Sequence, residues 1–75
     1  MTLLKVLEKY SDGSTREARL FDSFENELDG KNMYIDISTW SVNHENCTDT
    51  VRIRAKDLEF YSKFMPELQQ LLLVL

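Results

Sequence analysis

The sequence predicts an α+β fold: a four-stranded antiparallel meander followed by a C-terminal amphipathic helix, kinked or broken near Pro66. Three observations predict it. Four segments with strand-like alternation follow one another, short connections join them, and the hydrophobic period lengthens from two to about 3.6 after Asp57.

The first two strands are "LLKVLEKY" and "TREARLF", separated by "SDGS" at Ser11–Ser14. An Asp-Gly step between alternating segments is a strong hairpin signal, because glycine supplies the positive φ that tight turns need. A second turn, "LDGK" at Leu28–Lys31, precedes "NMYIDISTW", where Met33, Ile35 and Ile37 alternate with Tyr34, Asp36 and Ser38. The polar run "NHENCTDT" reads as a loop, and "VRIRA" resumes the alternation with Val51, Ile53 and Ala55. Asp57 is a suitable N-cap. Leu58, Tyr61, Phe64 or Met65, Leu68, Leu71 or Leu72, and Leu75 then recur at helical spacing. Pro66 interrupts them. It either bends the helix or starts a fresh one, since proline suits a first helical turn.

Seventy-five residues make one domain, 1–75, with a core that is marginal by itself. Cys47 is the single cysteine, which excludes an internal disulfide and a cysteine-based zinc cage. A partner subunit is the remaining support. The tail "LQQLLLVL" is apolar on more sides than one sheet face would cover. The expectation is a helix-paired homodimer with Tyr61, Phe64, Leu68, Leu71, Leu72 and Leu75 at its interface. No signal-peptide pattern opens the sequence, and "LLLVL" is too short to span a bilayer. The expected setting is therefore intracellular, nuclear or cytoplasmic, not secreted and without a membrane partner. The sequon Asn46-Cys47-Thr48 then carries no glycosylation.

The net charge is −4, yet Arg52, Arg54 and Lys56 stand on alternate positions. On a strand they share one face, repeating every ~7 Å, near the phosphate spacing of an extended single strand. The competing reading is an edge strand guarded by cations against aggregation. Tyr34 and Trp40 share a face of the third strand and would supply stacking. Asp36 lies on that face too and would pair with one arginine. Lys5, Lys9, Arg16 and Arg19 add positive charge in the first hairpin, while Asp22, Glu25, Glu27 and Asp29 gather the acid between the second and third strands.

Catalysis is not expected. The chain has no phosphate-cradling glycine loop, no metalloprotease motif and no nucleophile elbow. His44, Glu45 and Cys47 read as solvated loop residues, and no cofactor or metal is expected.

Residues 30 to 72 resemble the single-stranded-DNA-binding domain of the transcriptional coactivator positive cofactor four. "YIDISTW" is similar to that family's central strand, "VRIRAKDLEFYSKF" to its last strand, capped turn and helix, and "FMPELQQLL" to its helix end. The resemblance implies four curved strands, one helix, and a homodimer whose paired sheets form a groove for single-stranded DNA. It places Arg52 and Arg54 at the family's basic approach. It puts Tyr61, or Phe60 in a register slipped by one, at the helix aromatic, and Lys31, Tyr34 and Trp40 on or beside the central strand.

Two functional readings follow. The first is a homodimeric binder of single-stranded DNA or RNA in transcription or replication, gripping through Lys5, Lys9, Lys31, Tyr34, Trp40, Arg52, Arg54 and Lys56. The second is a small acidic protein-interaction module, such as a virus-encoded inhibitor of a host protein. Whether Arg52 and Arg54 are free, or neutralised by Asp36 and Asp49, separates the two.

Overall fold

The computed structural model describes residues 2–22 and 33–74. The expected turn at Leu28–Lys31, the acidic residues Glu25, Glu27 and Asp29, and Leu75 lie outside the described residues. Four strands, β1 (Thr2–Lys9), β2 (Thr15–Asp22), β3 (Met33–Trp40) and β4 (Cys47–Arg54), pair antiparallel in the order β1-β2-β3-β4. A 3-10 turn (Ala55–Asp57) leads into two short helices, α1 (Leu58–Ser62) and α2 (Pro66–Gln69).

Alternation sorts the sheet into two faces. Ala18, Ile35, Ile37 and Ile53 are buried on one, where Leu58, Leu68 and Leu71 cover them, with Leu4, Leu7, Leu20, Val51, Ala55 and Met65 around the margin. The opposite face has no helix among the described elements.

The first hairpin depends on Gly13. Its φ is +92°, and an added Cβ would stand 2.8 Å from Val42 Cγ2. Asp12 accepts the amide of Ser14 at 2.8 Å, closing the turn locally.

Three expectations need correction. First, β4 begins at Cys47 rather than Val51, so the loop shrinks to Ser41–Asn46. A bulge hides the strand from period-two reading. Thr39 opposes Thr48 and Ile37 opposes Val51, so Asp49 and Thr50 share the space across from Ser38. Asp49 takes φ +52° there.

Second, of the bend and the fresh start both expected at Pro66, the chain takes the fresh start, and the Asp57 cap is the part that differs. Asp57 occupies the N-cap of α1 but makes no side-chain capping bond, and α1 stops after Ser62. Pro66 opens α2 from an extended Met65, the conformation a residue before proline prefers. Gln69 Nε2 donates to the Ser62 carbonyl at 3.2 Å, satisfying the end of α1 from α2.

Third, Leu68 and Leu71 are 0% exposed within one chain, so they belong to its core and leave the expected interface. The break between the helices lets α2 fold back over the sheet, which one straight helix could not do. Arg16 locks that arrangement from the core side. It donates from Nε and Nη2 to the two oxygens of Glu67 at 3.3 and 3.2 Å. Its Nη1 reaches Thr39 Oγ1 at 3.1 Å and the Asp49 carbonyl at 2.8 Å. This cation holds the fold together rather than facing outward.

Candidate binding face

The open face is built in cross-strand rows, since directly opposed residues on antiparallel strands share a side. Phe21, Tyr34 and Arg54 form one row, and Arg19, Asp36 and Arg52 the next. Glu17 opposes Ser38, while Thr15, Trp40 and Cys47 complete the far row, with Lys9 in register beyond Thr15.

Two of the cations on this face, Arg52 and Arg19, are paired with carboxylates. Arg52 donates from Nε to Asp36 Oδ1 at 2.7 Å and from Nη2 to Oδ2 at 3.1 Å. That hydrogen bond comes first among the influences raising the Arg52 pKa above its ordinary value. Arg19 donates from Nε and Nη2 to Glu17 Oε1 at 3.2 and 2.7 Å. Glu17 Oε2 meets the Thr15 hydroxyl and His44 Nε2, each at 2.6 Å. Burial by itself pushes the Glu17 carboxyl upward. The hydrogen bonds from Thr15, His44 and Arg19 outweigh it and hold the pKa at about 2.

Aromatic rings frame the ion pairs. Arg52 lies 4.4 Å from the centroid of Phe21, and Arg19 lies 5.3 Å from that of Trp40. Phe21 and Tyr34 stack at 5.4 Å, and Trp40 meets His44 at 5.9 Å. A cleft of about 220 Å³ opens between these groups, lined by Arg19, Asp36, Ser38, Trp40, Cys47, Thr50 and Arg52. The acids that pair with its two arginines are the more buried partners. The side chains of Glu17 and Asp36 are 3% and 10% exposed, against 23% and 55% for Arg19 and Arg52.

The residues expected to bind phosphate are therefore only partly brought together. Tyr34, Trp40, Arg52 and Arg54 share the open face. Lys56 does not continue the row, because β4 ends at Arg54 and Lys56 falls in the 3-10 turn. Lys5 and Lys9 sit on β1, the opposite edge of the sheet from β4, about 14 Å away at ordinary strand spacing. Lys31 lies outside the described residues. Asp49 reaches Arg16 through its backbone instead of neutralising Arg52 or Arg54.

Glu17 and Phe21 belong to this face, and the alternation of Glu17, Arg19 and Phe21 against Ala18 and Leu20 was the signal that could have found them. The contact of His44 with Glu17 spans 27 positions and has no local signature.

On the helical side, Phe60, Tyr61, Phe64 and Leu72 are exposed, and Phe60 contacts both Tyr61 and Phe64 with ring centroids 5.4 and 5.3 Å apart. No helix among the described residues is long and apolar enough to cross a membrane. Comparison with known proteins returns no matching family model, no matching curated protein and no matching solved structure.

Proposed function

We propose that this chain is a small protein-interaction module that presents the open face of its sheet to a partner protein. The observation that carries this reading is the bidentate Asp36–Arg52 pair, beside which Arg19 gives two N–H groups to one oxygen of Glu17. Single-strand binding draws on unneutralised cations that displace counterions. Two of the cations on this face are already matched by carboxylates, which leaves Arg54 and Lys9 as its unmatched charge among the described residues. A surface of arginine and aromatic groups, by contrast, suits a protein contact. Self-association, in this reading, uses the exposed Phe60, Tyr61, Phe64 and Leu72.

One observation favours single-stranded nucleic acid instead. The stacked Phe21–Tyr34 pair adjoins Arg54, which is exposed and has no carboxylate partner among the described residues. A salt-resolved titration with labelled single-stranded and duplex DNA decides. The interaction-module reading expects no measurable single-strand affinity even at low salt. Tight single-strand binding with a steep salt slope would instead support the coactivator-like reading that the sequence resemblance suggests.

A further inference from the structure

The Arg19–Trp40–Arg52 cleft carries guanidinium donors beyond those its two ion pairs use. A guanidinium carries five N–H donors. Arg19 and Arg52 each commit Nε and Nη2 to a carboxylate, leaving the Nη1 edge of each without a partner among the described residues. Trp40 lines the same cleft, and its indole N–H is buried with no acceptor among the described residues. Ser38 and Thr50 bond each other across the cleft at 2.8 Å, which uses one of their two hydroxyl protons, and Thr50 Oγ1 lies 3.9 Å from Cys47 Sγ.

We propose that this cleft receives a single carboxylate side chain, from aspartate or glutamate, on an acidic segment of a partner protein. The proposal rests on the interaction-module reading and names what the partner must carry. A carboxylate brings two acceptor oxygens in one plane, the shape a guanidinium edge matches. Arg19 and Arg52 are more exposed than the carboxylates they pair with, so an incoming group finds more guanidinium than carboxylate surface. Arg54, exposed on the same face two residues from Arg52, adds an attractive charge. A phosphomonoester would bring up to two negative charges toward Glu17 and Asp36, where a carboxylate, like a nucleic-acid phosphodiester, brings one. The oligonucleotide arm of the test separates those two. At about 220 Å³ the cleft is also smaller than the ~300–1,000 Å³ typical of small-molecule sites, and it fits a side chain.

The chain carries its own reporters, since Trp40 and Cys47 are its single tryptophan and single cysteine and both line the cleft. The test titrates the native chain with a glycine-serine peptide bearing two central glutamates, and with its glutamine counterpart. Trp40 fluorescence and the rate of Cys47 alkylation by iodoacetamide are followed together. The glutamate peptide is expected to give a saturable fluorescence change and to slow alkylation, with the glutamine peptide about tenfold weaker. Arg52→Lys, which keeps the charge and loses the fork, should weaken the glutamate response. A glutamate peptide that gives no saturable change, or none stronger than its counterpart, overturns the proposal. In that event, binding of the glutamine peptide leaves the interaction-module reading standing. Binding of a single-stranded oligonucleotide alone removes that reading as well.

Discussion

Arg52 grips both carboxylate oxygens of Asp36 across the β3–β4 pair, while its guanidinium rests 4.4 Å from the Phe21 ring centroid. One side chain thus ties three strands together on a face that no described helix covers. Asp36 is buried and Arg52 is half exposed, so the two partners are unequal in what their loss would cost.

Arg52→Ala leaves Asp36 buried without its partner and should destabilise the chain by about 1–3 kcal/mol. Asp36→Ala leaves an arginine that reaches water, and should cost less. In urea titrations the double variant should be more stable than the sum of the two single losses predicts, with a coupling of about 0.5–3 kcal/mol. Simple additivity would mean that the pair contributes nothing in solution.

Glu17 makes the fold acid-sensitive. Its carboxyl sits at about 2 in the folded chain against an ordinary 4.5, so the unfolded chain binds more protons between those values. The resulting stability, about 3 kcal/mol, is complete above about pH 4.5 and drains away as pH falls toward 2. His44→Ala removes one donor and should raise the Glu17 pKa, moving the acid-unfolding midpoint to higher pH. NMR titration of the Glu17 carboxyl carbon reads the shift directly.

Leu71 and Leu72 are neighbours with opposite fates, fully buried and 45% exposed. Leu71→Ala should cost about 2–5 kcal/mol, as a core truncation does. Leu72→Ala should stay within about 1 kcal/mol of the parent, since surface changes are usually small. Chemical denaturation of the two variants distinguishes this placement from one in which both residues face a second subunit.

Gly13 is constrained twice, by its backbone and by Val42. Gly13→Ala should destabilise by more than about 1 kcal/mol, because alanine disfavours positive φ. Adding Val42→Ala should recover the steric part of that loss and leave the backbone part. A fully additive pair would place Val42 elsewhere.

The sheet was legible because its signals are local. Period-two alternation and the Asp-Gly turn mark β1 to β3 without any knowledge of the third dimension. β4 was half legible: Val51 and Ile53 alternate, but Cys47–Thr50 is polar and carries a bulge that breaks the period. Pro66 showed where the helical pattern would be interrupted. The return of α2 over the sheet, which buries Leu68 and Leu71, depends on the angle between two short helices and has no period to read. That Asp36 would pair with one arginine was legible from their shared face, but which arginine depends on register. Arg52 meets Asp36 because Ile53 opposes Ile35 and Val51 opposes Ile37, and a slip of one residue would have sent that cation to the other face. Arg16 shares a face with Ala18 and Leu20, so its alternation pointed inward, but nothing local indicated Glu67 as its partner.

If Asp36 is what keeps Arg52 from phosphate, removing its charge should create an affinity that the native chain lacks. The most direct measurement is fluorescence anisotropy of a labelled single-stranded oligonucleotide at low salt, with the native chain and Asp36→Asn side by side. The account predicts no salt-dependent binding by the native chain, and weak binding by Asp36→Asn whose log–log salt slope grows by about 0.7 for the one phosphate gained. Native protein that already binds the strand with a steep slope, unchanged by Asp36→Asn, would contradict it.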